Sequence, residues 1–272
     1  MTFAKRRLRN TMVTIGLVIL SYQWLEIVAL SLNIQQYYSG WLLVVLILLM
    51  LGLNLKKRFS QLGVGRTAGW AQFHYYSGIL LFAVFLKHIE FALPDGLVEQ
   101  VLAGLLALLT FGGLAGLLIN RIFARRLAYS DEEILFERIP LYREQLQERV
   151  EALILEATEQ SKSSTLADYY LLHLADFFAR PGNTWSHLIG RSIPVQQIRQ
   201  NLEQQMRYLA REEAAYALQL ARLVEQKNNL DKHRALQGAM KYWGLAHLPV
   251  ALVLSVFVII HIVLVYAFRG AA

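Results

Sequence analysis

The chain has 272 residues, 56% of them hydrophobic and 17% charged, with a formal net charge of +7. That apolar share is too high for an ordinary soluble domain, and several runs almost free of charge approach the ~20 residues that cross a bilayer. There is no cysteine, which excludes disulfides, thiolate zinc sites, iron–sulfur clusters and covalent haem attachment through C-x-x-C-H.

Five spans are predicted, at 11–31, 37–55, 72–93, 97–119 and 245–267. The first follows MTFAKRRLRN, which resembles a signal-peptide n-region. The apolar run behind it is too long for an h-region and no small-x-small cleavage site follows, so a retained span is expected. In the second, WLLVVLILLMLGL reaches crossing length only with Tyr37 and Tyr38 at one end and Lys56 and Lys57 at the other.

The basic residues collect at alternate ends of these spans. Lys5, Arg6, Arg7 and Arg9 precede the first; Lys56, Lys57, Arg58 and Arg66 separate the second from the third; Arg121, Arg125 and Arg126 follow the fourth. The opposite loops, LNIQQ and PDGLVEQ, have no lysine or arginine. This positive-inside pattern puts the N-terminus and the segment after span four in the cytoplasm and the C-terminus outside. It also accounts for the net charge without nucleic acid. The expected location is a bacterial inner membrane.

Between spans four and five lies a polar insertion, 121–244, with helical signals. Ser130 with Glu133 forms a capping-box pattern ahead of residues 134–157, and Thr165 with Asp168 forms another ahead of LADYYLLHLADFFA. That second helix should stop at Arg180-Pro181-Gly182. Ser192 and Pro194 then open a long helix whose Val195, Ile198, Leu202, Met206 and Leu209 repeat at three and four residues. The insertion is expected to be a helical bundle or hairpin, running into span five through LDKHRALQGAMKYW.

Two stretches carry the chemistry. HYYSGILLFAVFLKH, 74–88, and HLPVALVLSVFVIIH, 247–261, have the same length and the same terminal histidines. A 14-residue separation rises about 21 Å along an α-helix and falls about 40° short of four turns, so both imidazoles share nearly one face. Spans three and five run the same way under the topology above. Side by side, they would match His74 with His247 and His88 with His261 at equal depths. Opposed neutral imidazoles across a planar gap suit a low-spin b-type haem, and polar groups inside spans are costly and usually functional.

This pair of H-x13-H helices resembles the di-haem membrane cytochromes b, in which four histidines on two helices clamp two stacked haems. The resemblance covers spans three and five. It implies His74 and His247 as ligands of an inner haem iron, and His88 and His261 as ligands of an outer one. The fold class expected is an all-α membrane protein, its five spans bundled around two stacked b haems, with domains at 1–120, 121–244 and 245–272. Span order and the insertion before the last span depart from the quinol-oxidising respiratory cytochromes b, and no quinone-site motif of that family is present.

Supporting residues follow from position. Gly78, one turn after His74, and Gly112, Gly113 and Gly116 would let a macrocycle approach backbone, or serve helix packing. Arg66, Lys241 and Arg121 stand where inner propionates would emerge, and Lys87 could meet an outer one. Glu26 and Glu90 are candidate quinol proton acceptors in the outer half, or members of a Glu–Lys pair. His173, His187 and His233 are expected to be ordinary bundle or surface residues.

The expected function is transmembrane electron transfer as the membrane subunit of a quinone-linked or respiratory oxidoreductase complex. Its partners would be lipid, quinone, a cytoplasmic redox protein docked on 121–244 and an outer electron donor or acceptor. No phosphate loop or nucleophile elbow appears, so NAD(P)H oxidation by this chain alone is not expected. The competing reading is a haem-free membrane anchor, scaffold or sensor whose cytoplasmic helices bind partners.

Overall fold

The apolar runs all become helices in the computed structural model, which describes residues 3–31, 34–58, 67–128, 134–191, 193–206, 209 and 211–268. The long helices are α1 (Phe3–Leu30), α2 (Gln35–Arg58), α3 (Thr67–His88), α4 (Leu97–Ala128), α5 (Ile139–Ser161), α9 (Ile193–Gln205) and α10 (Arg211–Phe268). Short helices α6 (Thr165–Tyr169), α7 (Ala175–Ala179) and α8 (Thr184–Ile189) lie between α5 and α9. No strand occurs among the described residues. The chain divides into two compact units, Met1–Leu117 with Gly244–Ala272, and Leu118–Trp243.

In the first unit, α1, α2, α4 and α10 are long and apolar enough to cross a membrane. Their outward side chains, among them Ile15, Ile19, Leu48, Leu108, Ile259 and Val263, are exposed, a surface compatible with lipid. The third predicted span behaves differently. α3 has 22 residues, but Gln72, His74, Tyr75, Tyr76 and Ser77 make its first half polar. α1 answers part of that polarity: Asn10 Nδ2 donates to Gln72 Oε1 (3.4 Å), and the Tyr22 hydroxyl donates to the Ala83 carbonyl (2.8 Å). α3 packs mainly against α2 and α1. Its Leu81, Val84 and Phe85 join Leu43 and Leu46 of α2, Leu106 of α4 and Leu254 of α10 in one buried cluster.

α3 stops at His88, five residues before its predicted end at 93, because the backbone reverses there. The Phe91 N–H donates to the Leu86 carbonyl (2.9 Å) and the Glu90 N–H to the Lys87 carbonyl (3.2 Å), the paired bonds of a Schellman ending. Glu90 (φ 53°) and Phe91 (φ 59°) both lie in the left-handed region, where glycine is the usual occupant. Without a glycine, the sequence hides the stop. At the other end of the chain, α10 continues through Pro249, which lacks the N–H that would bond to the Leu245 carbonyl.

The second unit buries Val150, Leu174, Phe178, Ala217 and Leu220 completely. Residues 165–179 form one helical stretch, but its middle, Tyr170–Leu174, is wound as a π-turn. The expected capping box does not form: Ser164 rather than Thr165 stands at the N-cap, and its hydroxyl donates to the Asp168 Oδ2 (3.0 Å) instead of to a backbone N–H. The other expected box, Ser130 with Glu133, lies outside the described residues. α9 ends at Gln205 rather than running on to Leu209, yet Val195, Ile198, Met206 and Leu209 all pack on the core as their spacing demands. α8 ends at Gly190 (φ 84°), where an added Cβ would meet the Arg126 guanidinium at 3.1 Å. Arg126 donates to the carbonyl of Leu188 at 2.7 Å, so an arginine caps the α8 C-terminus.

His187 is only 7% exposed, and its Nε2 is buried without a hydrogen-bond partner. Burial lowers its pKa from the usual 6.5; Asp231 opposes the shift, and Lys227 and Lys232 reinforce it. The folded unit therefore favours the neutral ring. Its contribution to stability is complete above the ordinary pKa and is lost as pH falls below 6.5 toward the folded value. Each unit of displacement corresponds to about 1.4 kcal/mol. Protection factors over residues 184–190, which correct for the slower intrinsic exchange in acid, are expected to fall below pH 6.5, and His187→Gln should remove most of that acid sensitivity.

Candidate functional site

Four helices of the first unit enclose a cavity of about 460 Å³, within the ~300–1,000 Å³ typical of small-molecule and cofactor sites. Its walls are mainly aliphatic and aromatic, and both His88 and His261 line it. At one end Tyr37, near the start of α2, hydrogen-bonds Tyr266, near the end of α10. His88 closes α3 and His261 lies in the last two turns of α10. Both helices thus present their C-terminal ends to the same cavity, so they run in the same direction. The heptad-like spacing puts them on the right faces, and α2 and α4 complete the walls.

Each of the two imidazoles has a neighbour at Nδ1. For His88 it is Ser39, fully buried on α2, with Oγ 2.8 Å from Nδ1. The Ser39 hydroxyl has one proton to give, and the carbonyls of Gln35 (3.0 Å) and Gln36 (3.1 Å) are there to receive it. With its proton given to one of those carbonyls, Ser39 would accept from a ring protonated at Nδ1, the tautomer that leaves Nε2 free to ligate. Next door, a Cβ on Gly40 would come within 3.5 Å of His88 Cε1. At that distance a side chain would touch the ring without displacing it.

For His261 the neighbour is Glu99, in the first turn of α4, with Oε1 3.3 Å from Nδ1. Glu99 also lines the cavity. A carboxylate in a first turn is favoured by the helix dipole in any case, so position alone would explain its presence but not its approach to the histidine. Neither Ser39 nor Glu99 stands out in the sequence. Ser39 sits among the aromatic residues YYSGW, and Glu99 in PDGLVEQ, a segment notable only for lacking lysine and arginine. Their common signal is depth: both lie near the ends of their spans level with His88 and His261.

The remaining sequence candidates fall elsewhere. His74 is half-buried with its ring edge-on to Tyr75, and His247 is half-buried beside Gly113, whose added Cβ would lie 3.9 Å from its Cε1. These two are one 14-residue interval, about 21 Å, back along their helices from His88 and His261. Gly78 faces Met50 of α2 at 3.5 Å, a helix-packing contact, and Gly116 is buried. Glu26 pairs with Lys87, and Glu90 accepts a hydrogen bond from Gln36; neither glutamate, nor Lys87, lines the cavity. In the second unit Lys241 pairs with Glu137 (3.2 Å) and covers the Phe136 ring, while Arg121 is exposed. Arg66 lies outside the described residues.

The donor set discriminates between kinds of metal site. No group of three or more His, Asp or Glu side chains suited to a bare ion occurs among the described residues. A haem iron takes four ligands from its macrocycle and asks the protein for two. Two imidazoles lining one mainly apolar cavity, one with a buried hydroxyl at its Nδ1, fit that request. Comparison with models of known families, with curated proteins and with solved structures yields no match to this chain.

Proposed function

We propose that this chain is a di-haem b-type cytochrome that carries electrons across a membrane, as the electron-transfer subunit of a quinone-linked or respiratory oxidoreductase complex. The observation that carries the proposal is the cavity shared by His88 and His261. Those two residues would hold the outer haem, and His74 with His247, repeated at the same interval, the inner one. Bound there, b haems supply one-electron redox chemistry that no side chain of this protein offers.

The protein's own residues orient and insulate. Ser39 holds the His88 ring in the tautomer whose Nε2 is available. Phe85, Leu254 and Val258 keep water from the walls, lowering the local dielectric. The charge pattern of the loops supports an orientation with the N-terminus and residues 121–244 in the cytoplasm of a bacterial inner membrane and the C-terminus outside. The helical insertion is then the docking surface for a cytoplasmic redox partner. Quinone or an outer protein would exchange electrons at the Tyr37–Tyr266 end, with Glu26 and Glu90 as proton acceptors.

The test is direct. Full-length protein purified after expression with ample haem should show the sharp α band of six-coordinate b haem in its reduced-minus-oxidised spectrum, at about two haems per chain. A colourless preparation under those conditions would sink the proposal and leave the haem-free anchor, scaffold or sensor.

A further inference from the structure

We infer that Glu99 is a positioning residue for His261, and that it makes the two axial ligands of the outer site electronically unequal. The inference rests on the haem reading above and extends it to a residue that the histidine pattern does not reveal.

Three observations converge on Glu99. Its Oε1 lies 3.3 Å from His261 Nδ1. That nitrogen is buried and has no hydrogen-bond partner, so the carboxylate is the group at hand to fix it. Finally, the carboxylate occupies space kept clear by Gly96: a Cβ added there would run into it. The carboxylate thus reaches from the start of α4 to a buried nitrogen for which no hydrogen bond is formed.

The consequence follows from charge. Ser39 offers His88 a neutral hydroxyl, whereas Glu99 offers His261 an anion. An anion facing Nδ1–H draws the proton toward itself and makes Nε2 a stronger electron donor, as carboxylate neighbours do for metal-bound histidines generally. It also places a negative charge near the iron. Both effects favour the oxidised, more positive site over the reduced one, so Glu99 lowers the outer reduction potential and Ser39 leaves it nearly alone. Electron flow between the two sites is then biased by one carboxylate.

The experiment uses full-length protein with haem bound and compares wild type with Glu99→Gln, which keeps shape and removes charge. Potentiometric titration and low-temperature EPR are read for each haem, the outer one being identified as that absent from His261→Ala. Glu99→Gln should shift the outer reduction equilibrium at least tenfold toward the reduced form, about 59 mV for one electron, or release the outer haem. In either case the inner haem should be unmoved. A haem-replete Glu99→Gln protein with both potentials and both EPR signals unchanged, or with both shifted equally, would overturn the inference and leave the proposed function standing. A wild-type protein without haem removes both. A role confined to the α4 helix dipole would move the melting temperature and leave the outer potential where it was.

Discussion

Replacing His88 or His261 by alanine is expected to cut haem content from about two per chain to about one, with the surviving haem keeping its six-coordinate spectrum. On the proposed function each substitution would delete an axial ligand that no neighbour replaces: of the polar side chains lining the cavity, only these two carry an imidazole. Loss of a hydrogen-bonded neighbour is milder, on the order of 10–100-fold in affinity for outer-shell partners, so Ser39→Ala should weaken the outer site and not abolish it. His74→Ala or His247→Ala should remove the other haem. The readouts are pyridine haemochrome content and the reduced-minus-oxidised spectrum of each purified variant. A protein with all four histidines changed and an unaltered spectrum would show that the ligand assignment is wrong.

The second large effect concerns the folding of the polar unit. Lys227 is completely buried on α10 and Asp231, one turn on, is 4% exposed. The ammonium donates to Asp231 Oδ2 (2.5 Å) and to the Arg180 carbonyl (3.0 Å), and lies 4.8 Å from the centre of the Phe177 ring. Asp231 also accepts from the Gly182 N–H at 3.3 Å. The pair thereby ties α10 to the Arg180-Pro181-Gly182 turn between α7 and α8. Asp231→Ala strands an uncompensated charge, and such losses cost about 3–5 kcal/mol. Denaturant unfolding followed through the Trp185 and Trp243 emission is the measurement. Burial already holds the Lys227 ammonium below the usual 10.5, with Asp231 pulling the other way. Removing Asp231 lowers it further, so the variant's deficit should shrink as pH rises toward 10.5. The double change Lys227→Met with Asp231→Leu should cost far less than Asp231→Ala alone.

How much of this was visible in the residue order depends on the range of the interaction. α1, α2 and α4 are legible because an unbroken apolar run has few alternatives to helix. The continuity of α10 is legible because LDKHRALQGAMKYW has no proline and only Gly238 to weaken a helix. That His74 shares a helix face with His88, and His247 with His261, follows from period alone. What could not be read are features set by other segments. α3 ends at His88 through a left-handed Glu90, a position where sequence rules look for glycine. Ser164 displaces Thr165 as a cap because either hydroxyl suits the pattern. Above all, Ser39 and Glu99 meet the two imidazoles across helix boundaries, at separations of 49 and 162 residues in the chain, where no periodicity links them.

The ending of α3 has one more implication. A non-glycine residue in the left-handed region costs roughly 1–2 kcal/mol, yet Glu90 stands there, and its carboxylate is the partner of the Gln36 amide. Gln36 is three residues before Ser39, and Glu90 is two after His88. The left-handed residue is therefore a surface latch between the turn after α3 and the first turn of α2, beside the place where Ser39 meets His88. A glycine at 90 would ease the backbone and let the latch go.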